Sequence, residues 1–126
     1  FRRTLLAAKS VAYIDPKAGG SSGIYVAKLL EQLGIAKDVN AKAVLVHGGE
    51  VASHVVDGEA EIGLHQISEI LAVKGAVLVG PLPPAIQNFT VYAAGDRAAA
   101  TALVKFLSGS HALAIIKAKG MEPATP

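Results

Sequence analysis

Short runs of β-forming residues alternate with runs of helical spacing along this chain, and glycine or proline stands at the joints between them. The strand-like runs are 10–14 (SVAYI), 41–46 (AKAVLV) and 61–65 (EIGLH). Apolar residues at helical spacing fill 24–33 and 50–57, between those runs. Such alternation favours crossover connections between parallel strands. The sequence therefore predicts an α/β fold, in which a largely parallel sheet is flanked by helices in three layers.

The last third of the chain continues the alternation. The run 89–94 (FTVYAA) has the strongest strand propensity, and helices are predicted at 98–107 and 110–119. A chain of 126 residues has the length of one ordinary domain. We therefore expect residues 1–126 to form a single α/β domain.

Composition excludes several classes of function. Hydrophobic residues make up 52% and charged residues 17%, which argues against a disordered segment. Lysine and arginine (12) barely outnumber aspartate and glutamate (10), so no nucleic-acid partner is expected. Cysteine is absent, which excludes disulfides and thiol catalysis. The apolar runs, such as 76–79, are far shorter than the roughly 20 residues of a membrane-spanning helix.

The mean hydropathy of +0.44 is high for a soluble domain. It predicts apolar surface that a partner covers, either a second copy in a homo-oligomer or the rest of a longer chain. The sequence starts at Phe1 and not at methionine, so we expect a mature product or a fragment.

The loop 15–23 (DPKAGGSSG) is the most informative stretch for function, because it follows a strand and opens a helix. Glycines let a ligand approach the backbone, and the first N–H groups of a helix are free to donate to an anion. The loop matches neither a Walker motif nor G-x-G-x-x-G. In the alternative interpretation the loop is only a turn, and Ser21 or Ser22 caps the helix. The candidate ligand-binding residues are Gly20, Ser21, Ser22 and Gly23.

His65 and Gln66 follow the third predicted strand, on the ligand side of a parallel sheet. Their side chains could bind a ligand or satisfy backbone groups of the loop, and both interpretations stay open. Ser68 is expected to cap the next short helix. A hydrolytic triad of Asp15, Ser22 and His65 is disfavoured, since no G-x-S-x-G elbow is present.

His47, Glu50 and His54 have the spacing H-x-x-E-x-x-x-H. That spacing fits neither H-E-x-x-H nor H-x-x-E-H, and Gly48 and Gly49 break the helix that would present the ligands. No metal site and no cofactor are therefore predicted. His47, directly after a strand, is better placed to line a cleft.

A resemblance to a known family spans nearly the whole chain. The sequence resembles extracellular solute-binding proteins of ABC transporters, in the molybdate-binding-like branch with a type 2 periplasmic-binding fold. The segments that carry the resemblance are 12–23 (AYIDPKAGGSSG), 25–30 (YVAKLL), 58–63 (GEAEIG), 66–70 (QISEI), 79–84 (VGPLPP), 106–108 (FLS) and 118–123 (AKGMEP).

This resemblance implies one of two lobes that close on a ligand, here the second lobe with the C-terminal helices. The first lobe would precede Phe1 and is absent from the sequence. The implied ligand is a molybdate-like oxyanion or a small polar solute, held by the Gly20–Gly23 helix start and by His65 and Gln66. The implied location is periplasmic or extracellular, and the implied partners of the full-length protein are the membrane subunits of a transporter.

We therefore expect a non-catalytic, ligand-binding lobe of a transporter's solute-binding protein. Three other classes stay open. One is a sensor or regulatory domain of the same fold, and another is a self-associating structural domain. The third is an enzyme that uses Ser22, His65 and Asp15.

Overall fold

The computed structural model describes residues 1–92 and 100–123. It divides into two compact units, 1–88 and 89–126, which are described separately below. No helix in the described ranges is both long and apolar enough to span a membrane.

The first unit is built on a sheet of three parallel strands. β1 (Val11–Ile14) lies in the centre, between β2 (Ala43–Val46) and β3 (Ile62–Leu64). Val11 pairs with Ala43 on one side and with Ile62 on the other. Because all three strands run in the same direction, their carboxyl ends meet at one edge, which is called here the carboxyl edge. The predicted α/β fold with a parallel sheet is confirmed.

Helices cover both faces of the sheet, since all four residues of β1 are buried. Val11 and Tyr13 belong to one buried cluster, and Ala12 and Ile14 belong to another. The helices of the first unit are α1 (Arg2–Ala7), α2 (Ser21–Gln32), α3 (Ala36–Asn40), α4 (Val51–Val56) and α5 (Ile67–Ala72). The first cluster draws on α1, α2 and α3, and the second draws on α4. The arrangement is therefore three-layered.

The described residues of the second unit include two short helices, α6 (Thr101–Leu107) and α7 (Ser110–Ala118). Both were predicted, although residues 98 and 99 of the first predicted helix lie outside the described ranges. The strand predicted at 89–94 is wrong for residues 89–92, which adopt no regular structure, while residues 93 and 94 lie outside the described ranges. The side chains of Phe89 and Val91 are largely exposed. Strand propensity reflects packing against neighbouring strands, and it is not realised where such packing is missing.

Candidate ligand site at the carboxyl edge

The chain turns sharply between β1 and α2. The Asp15 carboxylate accepts a hydrogen bond from the backbone N–H of Lys17 at 2.9 Å, which starts a 3₁₀ turn over Pro16–Ala18. Gly19 then takes a φ of +82°, a left-handed conformation that favours glycine. The turn delivers the chain to the start of α2 at the carboxyl edge.

The N-cap of α2 is Gly20, so the expectation that Ser21 or Ser22 caps this helix is wrong. A Cβ added at Gly20 would lie 3.0 Å from Ile14 Cγ2, which leaves little room for a serine side chain at this position. Ser21 and Ser22 instead occupy the first two helical positions, and no side chain caps the helix.

The first turn of α2 presents backbone N–H groups that can donate hydrogen bonds. Its first intrahelical backbone bond runs from Ile24 N to Gly20 O. The N–H groups of Ser21, Ser22 and Gly23 therefore have no acceptor inside the helix. The positive end of the helix dipole adds to their attraction for an anion.

Gly23 brings this helix start onto the end of β1. A Cβ added there would lie 2.3 Å from the carbonyl oxygen of Ile14, closer than any real contact. Only glycine permits this approach, because it has no side chain to collide with the strand. Gly23 thus fixes where the donors of α2 stand relative to the carboxyl edge.

Asp15 and His47 form a pair at the same edge. His47 Nδ1 lies 3.2 Å from Asp15 Oδ2. The Asp15 side chain is only 10% exposed, whereas that of His47 is 81% exposed. The Asp15 N–H also donates to Val46 O at 2.9 Å, which joins the loop to the end of β2. A largely buried carboxylate therefore lies beside an imidazole that is mostly exposed to solvent.

Sequence reasoning missed this pair, since it grouped Asp15 with His65 and Ser22. The signal was nevertheless available. Each of the two residues directly follows one of two neighbouring strands, and parallel pairing of Ile14 with Val46 brings them side by side.

His65 and Gln66 stand at the end of β3, as predicted. His65 is half-buried, and its Nδ1 atom is buried with no hydrogen-bond partner among the described residues. Burial lowers the pKa of His65, although the nearby charge of Glu69 opposes the shift. The imidazole is thus biased toward its neutral form, which can donate at one nitrogen and accept at the other. Gln66, and not Ser68, is the N-cap of α5.

The lowered pKa of His65 predicts an acid-dependent loss of stability. The unfolded chain binds the proton near pH 6.5, the ordinary pKa of histidine, and the folded chain binds it only at lower pH. The free energy of unfolding should therefore be highest above pH 6.5 and fall as the pH drops below it. Urea unfolding at about pH 7.5, 6.0 and 5.0 measures the effect. His65→Gln should show a smaller fall over this range, and an equal fall in both proteins would contradict the prediction.

The residues of the H-x-x-E-x-x-x-H spacing contact different partners. His54 Nδ1 lies 2.6 Å from Glu59 Oε2, and His47 contacts Asp15. Glu50 accepts a hydrogen bond from Ser53. Residues 1–92 and 100–123 contain no group of three histidine, aspartate or glutamate side chains that could hold a metal ion.

An apolar cavity of about 770 Å³ lies beside α4 and β3, partly walled by residues 75–83. Its polar side chains are Thr4 and Glu61. A site for a small polar ligand needs several convergent polar groups. The carboxyl edge, with its backbone donors, serines and imidazoles, fits that requirement better than this cavity.

In open α/β sheets, ligands bind beyond the carboxyl ends of the strands, and anions bind at uncapped helix starts. The sequence profile of bacterial extracellular solute-binding proteins matches residues 2–122, and the chain belongs to this family. Membership implies a small-molecule ligand. The predicted family is confirmed at this level, while the molybdate-binding-like branch and the assignment to a second lobe stay predictions.

A curated relative is the aconitate isomerase of Pseudomonas sp, which is 34% identical over 130 aligned positions. The alignment covers 98% of this chain and 48% of the relative, so the chain spans about half the length of that protein. No solved structure matches the chain.

The expectation of a non-catalytic protein is overturned by this relative, whose name is that of an enzyme. The sequence reasoning weighed catalysis only as hydrolysis by a serine triad. An isomerase that moves a proton needs no such triad, because one positioned acid–base group can be sufficient. The lack of a G-x-S-x-G elbow was therefore not an argument against catalysis in general.

Proposed function

We propose that the carboxyl edge binds a small carboxylate, with Gly20, Ser21, Ser22 and Gly23 as its anion-binding element. The observation that carries this proposal is the first turn of α2, whose N–H groups have no intrahelical acceptor and which no side chain caps. Carboxylates and inorganic oxyanions both suit such donors. The relative's name favours the carboxylate, since aconitate carries three of them.

His65 and Gln66 are proposed to contact the ligand from the end of β3. The buried, unpartnered Nδ1 of His65 supports this role, because a buried polar atom without a partner is costly unless a ligand satisfies it. As part of an ABC transporter, such a protein would pass its ligand to the membrane subunits. We propose a periplasmic or extracellular location, which the extracellular character of the family supports.

Ser21→Asp tests the anion site directly. A carboxylate at the first helical position interacts favourably with the positive end of the helix dipole, so the variant should be at least as stable as the wild type. The same carboxylate repels an anionic ligand, and we expect trans-aconitate to bind about tenfold more weakly or worse, a loss of about 1.4 kcal/mol. Isothermal titration calorimetry on the complete encoded protein, with trans-aconitate and with molybdate, measures the effect.

The matched control is Ser110→Asp, which makes the same charge change at the first position of α7. It should leave binding unchanged. Equal affinity of Ser21→Asp and wild type would refute the proposed anion site. Tight binding of molybdate without binding of trans-aconitate would replace the carboxylate with an inorganic oxyanion.

A second candidate function is isomerisation of an unsaturated tricarboxylate. Two observations favour it: the name of the curated relative and the Asp15–His47 pair at the carboxyl edge. Incubation of the complete encoded protein with trans-aconitate, followed by proton NMR, should show conversion to the cis isomer. No conversion above the uncatalysed rate would exclude this activity for that substrate.

A further inference from the structure

We infer that His47 is the proton-transferring catalytic residue of this isomerisation and that Asp15 is its positioning residue. The inference rests on the proposed isomerase function and adds the group that performs the chemistry. It uses a pair of side chains that ligand binding alone does not require.

Asp15 is held in place from three directions. Its Oδ1 accepts the N–H of Lys17 at 2.9 Å, and its own N–H donates to Val46 O at 2.9 Å. Its Oδ2 lies 3.2 Å from His47 Nδ1. A carboxylate this close to Nδ1 favours the tautomer that carries its proton on Nδ1 and leaves Nε2 unprotonated. The ring nitrogen opposite Asp15 is then the base.

The base and the anion donors share one edge of the sheet. β1 and β2 end in register at Ile14 and Val46, so Asp15 and His47 both lie just beyond that edge. The turn after Asp15 leads directly to the start of α2, six residues later. A substrate whose carboxylates lie on the donors of α2 thus meets an imidazole that is 81% exposed. By contrast, His65 is held at the end of the neighbouring strand with its Nδ1 buried.

The step balances without a cofactor. His47 Nε2 takes a proton from the CH₂ carbon of aconitate, and that C–H bond breaks. The electron pair of that bond forms a new C=C bond to the central carbon. The π electrons of the former double bond move to the far vinylic carbon, where the attached carboxylate delocalises the negative charge. The imidazolium then returns a proton to that vinylic carbon, which forms a new C–H bond. The double bond has moved by one position, and no atom is oxidised or reduced overall.

The N–H groups of Ser21, Ser22 and Gly23 would stabilise the negative charge that gathers on the carboxylate in this step. Donors that are already oriented toward developing charge stabilise a transition state without reorganisation. The same helix start therefore serves both binding and catalysis.

The test is His47→Gln in the complete encoded protein, with trans-aconitate as substrate. General acid–base catalysis contributes about 10²- to 10⁴-fold, so kcat should fall by about 100-fold or more. The Kd for trans-aconitate should change by less than about threefold, because the donors of α2 are intact. In deuterium oxide, exchange of the CH₂ protons should slow in parallel with kcat. Because the His47 side chain is exposed, the variant should fold normally and its thermal midpoint should match that of the wild type.

Asp15→Asn should also lower kcat, because an amide presents the wrong hydrogen-bonding partner to Nδ1. Its Kd and thermal midpoint should change little. His54→Gln is the matched control, since it removes another imidazole that contacts a carboxylate, Glu59, away from the carboxyl edge. It should retain wild-type kcat.

An active wild type whose His47→Gln variant keeps kcat within about threefold would overturn this inference and leave the isomerase function standing. A wild type that binds trans-aconitate but does not isomerise it would overturn both. Loss of kcat in His47→Gln with unchanged Kd supports the inference.

Discussion

Replacing Gly23 with alanine should destabilise the first unit by about 3 kcal/mol or more, the upper range for overpacking a close contact. The added Cβ would lie 2.3 Å from the carbonyl oxygen of Ile14 and 3.1 Å from its Cβ. The carbonyl belongs to the last residue of the central strand, which pairs with Val46 of β2, so it cannot move without disturbing that pairing. In an ordinary helix the same change would stabilise, because glycine costs roughly 0.5–1 kcal/mol relative to alanine. Urea unfolding followed by circular dichroism measures the loss.

Gly20→Ala is the matched control for this expectation. Its Cβ would lie 3.0 Å from Ile14 Cγ2, a side-chain methyl group that has to give by only a few tenths of an ångström. We therefore expect a smaller loss of about 1 kcal/mol, the lower end of the range for overpacking. Equal effects of the two substitutions, or a more stable Gly23→Ala protein, would show that α2 does not start in contact with β1.

The Gly23 contact also connects folding with function. If α2 lifts from β1 to accept a Cβ, its first N–H groups move away from the carboxyl edge. A Gly23→Ala protein that still folds should consequently bind trans-aconitate more weakly than Gly20→Ala does. We therefore expect this glycine to set the position of the anion donors, in addition to permitting close packing.

The fold could be predicted from sequence because its signals are local. Strand-like runs bounded by glycine or proline predicted β1, β2 and β3 to within two residues. The short helices α1 and α3 were missed, and both make contacts with distant residues: Tyr13 Oη donates to Oδ1 of Asn40, the last residue of α3. Lys42 Nζ donates to the backbone carbonyls of Leu6 and Ala8, which stabilises the end of α1 from 34 to 36 residues away. The spacing of apolar residues in the sequence does not predict such a contact.

The candidate site was predictable in part. The anion-binding role of loop 15–23 followed from its place between a strand and a helix, and this role stays a proposal. The pairing of Asp15 with His47 could have been inferred from parallel register, which joins residues 32 positions apart. The burial of His65 Nδ1 could not have been inferred from the sequence, because it depends on which atoms pack around the ring.

Leu30→Ala should lower the free energy of unfolding by about 2–5 kcal/mol, the usual range for truncating a buried leucine. Leu30 is 0% exposed and packs in the cluster that joins α2 to β1 and α3, beside Val11 and Val39. Small domains are stable by only about 5–15 kcal/mol, so the loss is a large fraction of the total. Urea unfolding at about pH 7.5 measures it, where His65 contributes its full stability.

The control for this substitution is Leu71→Ala in α5, where the leucine is 43% exposed and little cavity would form. Its loss should be below about 1 kcal/mol, because less apolar area leaves water on folding. Similar losses for the two variants would contradict the packing of α2 described here. Leu30 lies two turns beyond Gly23, so α2 is fixed to the sheet at both places. A folded Leu30→Ala protein should therefore keep its affinity for trans-aconitate better than Gly23→Ala does, because the contact that positions the anion donors is still present.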